Sequence, residues 1–193
     1  NSSNTNHLMT KPPMLTAQQA LDHLLSHAVA VNESDKVAMQ AALGRVLAED
    51  VKSLVDVPPL DNTSMDGYAV RTADTKTAGQ VLTISQRIPA GSIGAQLEPG
   101  TAARIFTGAP VPPGADAVVM QEDCAVEGQS NQVTINIAPA LGQWIRRRGE
   151  DLTAGQTCLA AGTFLRPQEL GVAASAGLTH LNVKRRVKVA AFF

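Results

Sequence analysis

Between Pro58 and Gln143, short runs of β-forming residues are interrupted every few positions by proline and glycine. This rhythm limits the fold more than any other feature of the chain. The runs cover residues 67–70, 81–85, 101–106, 117–120 and 133–137. Pro89-Ala90-Gly91, Pro99-Gly100 and Pro110-Val111-Pro112-Pro113-Gly114 stand between them. Strands this short, closed by turn residues, predict a small all-β unit. The flanks read differently. Thr16 and Gln19 form a capping box ahead of Leu21, Leu24, Leu25 and Ala28 at helical spacing, which predicts an amphipathic helix. Leu43, Val46 and Leu47 predict a second helix over residues 41–49, weakened by Gly44. Pro167 opens a third helix that Gly177 is placed to end. The apolar run 187–193 reads as a buried strand opening an α/β unit that the chain does not continue.

The fold class expected is therefore mixed α+β. A discontinuous α/β first domain, residues 15–57 and 145–186, encloses an inserted small all-β domain, residues 58–144. Residues 187–193 are the first strand of a truncated α/β domain, and residues 1–14 are a tag or disordered leader.

Composition excludes several functions. Of 193 residues, 44% are hydrophobic but only 3% aromatic, so the core is aliphatic and no base-stacking platform for single-stranded nucleic acid is available. The net charge of −1 gives no basic field for nucleic acid or anionic lipid. Charge is nevertheless uneven: residues 1–57 carry −2, residues 58–144 carry −4 and residues 145–193 carry +5. No run approaches the roughly 20 apolar residues of a membrane helix. Cys124 and Cys158 are too far apart in sequence for a metal knuckle or redox pair and read as reduced thiols of a cytoplasmic protein. His23 and His27 have i, i+4 ligand spacing, but no third ligand follows, so they read as exposed helix residues.

Three stretches carry chemistry. Residues 58–70 place Asp61, Asn62, Thr63, Ser64 and Asp66 in a loop before a strand. The same residues suit a turn-rich connector or an open site where a carboxylate holds Mg²⁺ or orients a polar substrate. Thr107-Gly108 follows a strand and offers a hydroxyl and a backbone N–H to an oxyanion. In Arg146-Arg147-Arg148-Gly149-Glu150-Asp151 the three guanidiniums cannot share one face, because alternate side chains of an extended chain diverge. At least one is expected to pair with an acid, and another is available to clamp phosphate.

Together, residues 61–69, 104–112, 117–122 and 146–151 resemble the molybdopterin molybdenumtransferase family, which includes bacterial MoeA and the E domain of gephyrin. The resemblance runs from Leu15 to Phe193. It implies molybdenum cofactor biosynthesis: insertion of molybdate into the dithiolene of adenylylated molybdopterin with Mg²⁺, releasing AMP. It also implies a cytoplasmic homodimer of longer chains, a molybdopterin-adenylating partner, and no nucleic acid or membrane. By motif it assigns Asp61, Asp151 and Thr107 to catalysis, with Asp61 and Asp151 as metal ligands. Arg147, Arg148, Gly108 and Asp66 become substrate or phosphate contacts. A chain of this length is expected to be inactive alone. The alternative is a non-catalytic dimerisation or partner-binding module of gephyrin type.

Overall fold

The computed structural model describes residues 14–128 and 130–191. Two helices, α1 (Ala17–Ser26) and α2 (Pro167–Ser175), accompany twelve strands among these residues. The strands are β1 (Ser34–Ala38), β2 (Val51–Lys52), β3 (Asn62–Thr63), β4 (Gly67–Val70), β5 (Gln80–Ile88) and β6 (Thr101–Ile105), followed by β7 (Ala117–Met120), β8 (Cys124–Ala125), β9 (Gln132–Ile135), β10 (Ile145–Arg146), β11 (Thr157–Leu159) and β12 (His180–Lys184). All five β runs anticipated between Pro58 and Gln143 contain a strand.

Six of the strands form one mixed sheet in the order β7-β4-β6-β5-β9-β8. Its neighbours are antiparallel except β5 and β6, which run parallel with Arg87 opposite Arg104. A parallel pair needs a crossover of about a dozen residues, and residues 89–100 supply it. The edge strands β7 and β8 are joined by the tight 3-10 turn Gln121–Asp123, so the sheet nearly closes on itself. Alternate side chains enter two apolar clusters. Tyr68, Val70, Leu82, Val119, Val133 and Ile135 fill one, while Ala69, Ile88, Leu97, Ala103, Ile105 and Val118 fill the other. Both faces of β4 are consequently buried. Tyr68 is the only buried aromatic in these clusters, as the composition requires.

The third cluster unites distant parts of the chain: Ala42, Leu47 and Val51 pack with Leu165, Ala173, Leu181 and Val183. Three antiparallel strand pairs, β1 with β12, β2 with β11 and β3 with β10, join the early residues to the late ones.

The expected capping box of α1 is present: the Thr16 hydroxyl accepts the Gln19 N–H at 3.2 Å and Gln19 Oε1 accepts the Thr16 N–H at 3.0 Å. Yet no residue of α1 is buried. Helix α2 begins at Pro167 as expected, and the chain turns out of it at Gly177, which has φ +86°. The helix expected over 41–49 does not form. A 3-10 turn spans Met39–Ala42, and Gly44 then takes φ +72°, a left-handed conformation that stops a right-handed helix. Val46 and Leu47 continue in extended bridges to Phe164 and Val183, which bury Leu47 completely. The strand expected over 187–193 is absent from residues 187–191, where Val187 and Val189 are exposed and no strand among the described residues offers a ladder. Phe192 and Phe193, like most of the expected leader, lie outside the described residues. No described helix is long and apolar enough to cross a membrane.

Gly67 is required by close approach. A Cβ at this position would stand 1.9 Å from the Val119 carbonyl oxygen on β7, inside the β4–β7 ladder. Gly67→Ala is expected to force the two strands apart and lower stability by about 1–3 kcal/mol, measured by urea denaturation. An unchanged midpoint would mean that the sheet is more plastic there than its geometry indicates.

Candidate functional site

Residues 61–66 are gripped from two sides. On one side, β3 pairs with β10 in the register Thr63 to Ile145 and Asn62 to Arg146, and Ser64 N–H donates to the Trp144 carbonyl at 3.0 Å. On the other, Gly108 N–H donates to Thr63 O at 2.9 Å, Thr63 N–H to Ala109 O at 3.0 Å and Val111 N–H to Asp61 O at 2.9 Å. Thr63 is buried at the centre, its hydroxyl turned onto the Met65 carbonyl at 2.7 Å, a local turn contact of the kind threonine favours. Trp144, the only tryptophan, holds φ +56° beside this loop. A left-handed conformation costs such a residue roughly 1–3 kcal/mol and persists only where its surroundings enforce it.

The three consecutive arginines do diverge, and each meets a different aspartate. Arg146 Nη2 lies 2.6 Å from Asp151 Oδ1, Arg147 Nη1 lies 2.6 Å from Asp61 Oδ2, and Arg148 Nε lies 2.6 Å from Asp56 Oδ2. Backbone donors complete the pattern: Arg148 N–H donates to Asp61 Oδ1 at 2.8 Å and Ala154 N–H to Asp56 Oδ1 at 2.8 Å. At least one pairing was expected, with another guanidinium available for phosphate; in the structure all three are paired within the chain.

Asp66 and Thr107 form a second knot at the far end of the loop. Both the Thr107 N–H and its hydroxyl donate to Asp66 Oδ1, at 2.8 and 2.7 Å. With Gly108 N–H already given to Thr63, the Thr107-Gly108 turn has no free backbone donor of the kind expected for an oxyanion.

The loop thus brings Asp61, Arg147 and Arg148 together at one end and Asp66 and Thr107 at the other. Asp151 sits on Arg146 and borders an open groove of about 490 Å³ lined by Val57, Leu152, Gly171 and Val172. As candidate Mg²⁺ ligands, Asp61 and Asp151 are already committed to guanidiniums, and no cluster of three metal-ligating side chains occurs among the described residues. The rings of His23, on exposed α1, and His27, at its C-cap, lie with centroids 4.5 Å apart and are tilted by 54°. Three features escaped the sequence reading: Asp56, whose partner lies 92 residues away, the strained Trp144, and Asn62 Oδ1, which is buried without a hydrogen-bond partner in the described structure. Only Asp56 had a textual cue, its place just before the Pro58-Pro59 stop.

Comparison with known proteins gives a consistent set of likenesses. Residues 15–177 match the model of the MoeA N-terminal region, domains I and II. The chain is 44% identical over 158 residues to molybdopterin molybdenumtransferase 2 of Mycobacterium tuberculosis, covering 79% of this chain and 38% of that protein. It is 36% identical over 177 residues to the molybdopterin molybdenumtransferase of Haemophilus influenzae, covering 91% and 43%. The crystal structure of the molybdopterin biosynthesis MoeA protein of Pyrococcus horikoshii superposes with a TM-score of 0.80 at 37% identity, covering 86% of this chain and 45% of that one. The chain therefore spans less than half the length of these relatives.

The ionic clamp has a defined pH signature. Asp61 is held below the usual aspartate range chiefly by the Arg148 N–H, with Arg147 adding to it. Asp56 is lowered first by the Ala154 N–H and then by Arg148, and Asp66 by the two Thr107 donors. A depressed carboxylate contributes stability above its unfolded pKa, about 3.9, and loses it as pH falls through the folded value. Trp144 fluorescence is therefore expected to stay flat from neutral pH to about 4 and to change only below that. A transition centred above about 5 would contradict the pairing.

Proposed function

The chain belongs to the family of the MoeA N-terminal region, and on that premise we propose that the intact protein inserts molybdate into adenylylated molybdopterin and releases AMP. In this reading residues 15–57 and 145–186 form one domain and residues 58–144 a second domain inserted into it. A following α/β domain, opening near Val187, supplies the pterin pocket. The observation that supports the assignment is the double grip on residues 61–66. It holds two ionised carboxylates at the ends of one rigid loop, one on backbone N–H and guanidinium donors and the other on Thr107. A carboxylate held in place by the Arg148 backbone N–H is preorganised to orient a polar substrate.

Each residue has a defined task. Asp61 orients the substrate, and Thr107, fixed by Asp66, lines the same cleft together with Gly108. Arg147 and Arg148 exchange a carboxylate partner for a substrate phosphate when the cleft fills, and Asp151 keeps Arg146 out of that exchange. The magnesium assignment rests on the resemblance. Asp61 and Asp151, the two candidate ligands, are occupied by arginines and do not by themselves assemble a Mg²⁺ shell. A cytoplasmic location and a molybdopterin-adenylating partner belong to the same proposal.

Asp61→Ala in the intact protein is expected to lower molybdate-dependent AMP release by about 100-fold, whereas the 193-residue chain alone should show no turnover. Near-normal activity of the variant would remove Asp61 from the site. Turnover by the isolated chain would overturn the assignment of the pterin pocket to the following domain.

A second reading, a dimerisation module, is favoured by one observation. Helix α1 exposes Leu21, Leu24 and Leu25 at 48, 68 and 62%, an apolar stripe on a well-capped helix with no core beneath it among the described residues. A second copy of this chain is the occupant the homodimer reading supplies. Sedimentation of the chain should report a dimer that Leu24→Glu with Leu25→Glu converts to monomer. A monomeric parent chain would remove this reading.

A further inference from the structure

The guanidiniums of Arg146, Arg147 and Arg148 are each paired with an aspartate, whereas among the described residues Arg87, Arg104 and Arg186 form no salt bridge, and the first two stand together on the sheet. Arg87 on β5 and Arg104 on β6 are direct neighbours in the parallel ladder, so their side chains leave the same face of the sheet. Both close on Phe106, with guanidinium carbons 4.3 and 4.5 Å from the ring centroid, and Arg104 also stands 5.3 Å from the Tyr68 ring. The hydrogen bonds of Arg104 go to uncharged acceptors: Nη1 donates to the Gly67 carbonyl at 3.0 Å and Nη2 to Gln121 Oε1 at 2.6 Å. Among the described residues no carboxylate oxygen lies within salt-bridge distance of either guanidinium. Asp66, whose charge is felt by Arg104, has its Oδ1 filled by Thr107.

Two cations held against one small ring repel each other. The ring face attracts each of them but provides no ion pair, and the charge of Asp66 reaches Arg104 only at longer range. Arg87 is exposed and Arg104 partly so, which leaves guanidinium donors directed at solvent. From this juxtaposition we infer that Arg87 and Arg104, ordered by Phe106, are a binding site for a tetrahedral oxyanion of the phosphate or molybdate type. Guanidiniums close to a common ring can donate to different oxygens of one such anion through charge-assisted bonds of about 2.8 Å. Phe106 directly precedes Thr107, so the site adjoins the Asp66–Thr107 knot and gives the cleft a cation that need not first leave a carboxylate. The inference rests on the reading above only for the anion's identity in the cell; the binding is tested without turnover.

The test uses the full 193-residue chain in low-chloride buffer, titrated separately with inorganic phosphate, molybdate and AMP. Arginine Nε–H and the backbone amides of Phe106 and Thr107 are followed by NMR. Saturable shifts of both arginine signals are expected. Arg87→Gln, an exposed substitution, should weaken binding by about tenfold or more, and Arg104→Lys should weaken it while keeping the fold. Lys76→Gln, on the exposed surface, should leave it unchanged. Tighter binding of AMP than of inorganic phosphate supports the site with a phosphoryl group on a nucleoside as its ligand. Tighter binding of molybdate supports it with the free oxyanion. Absence of saturable binding, or binding that survives Arg87→Gln but is lost in Arg147→Gln, overturns the inference. Loss of AMP release in the intact protein with oxyanion binding retained would instead count against the proposed function alone.

Discussion

A backbone N–H from Arg148 and a guanidinium from Arg147 converge on Asp61, which lies 87 and 86 residues earlier in the chain. The Arg147 pair is partly exposed, and taken alone such pairs are worth about 0–1 kcal/mol. The amide bond differs, because its donor is fixed by the β3–β10 pairing and needs little further ordering. Backbone register and side-chain charge therefore reinforce one another. At the other end of the loop the β4–β6 pairing, with Gly67 opposite Ile105, carries Asp66 to Thr107. If the β3–β10 register shifted by one residue, the side chains would exchange faces and Asp61 would lose both partners together.

The site is rich in charge but largely satisfied from within. Three arginines meet three aspartates, and the donors of the Thr107-Gly108 turn are spent on Asp66 and Thr63. Such an arrangement is ordered before any ligand arrives, which reduces the entropy lost on binding. It also requires incoming anions to compete with carboxylates wherever they approach the Arg146–Arg148 run. The pair beside Phe106, which has no salt bridge, makes no such demand. The acidic β-rich stretch and the basic carboxyl-terminal stretch meet through Asp61 and Arg147.

How far the sequence was readable varied from element to element. The strands between Pro58 and Gln143 were legible because proline and glycine mark their ends. Helix α1 was legible from Thr16 and Gln19, although its leucines find no core among the described residues. Residues 41–49 were misread because Leu43, Val46 and Leu47 form a short apolar pattern that a helix and an extended bridge share; the left-handed Gly44 decides between them. Divergence of the three arginines followed from side-chain alternation. Their partners did not, since Asp56 and Asp61 approach only once β3 and β10 have paired. The Arg87–Phe106–Arg104 cluster was invisible for a similar reason: it depends on a parallel register between strands separated by a crossover.

Local chemistry along the chain was enough to determine the β-rich centre, its aliphatic core, the first and last helices and the motifs that mark the family. These depend on turn residues, side-chain periodicity and capping, all of which act over a few positions. The tertiary structure alone decided which carboxylate meets which arginine, that the Thr107-Gly108 turn is closed, and that Arg87 and Arg104 meet on one ring without a salt bridge. Those outcomes depend on strand register between distant segments. Register is set by which faces can be buried together, and no short stretch of sequence contains that information.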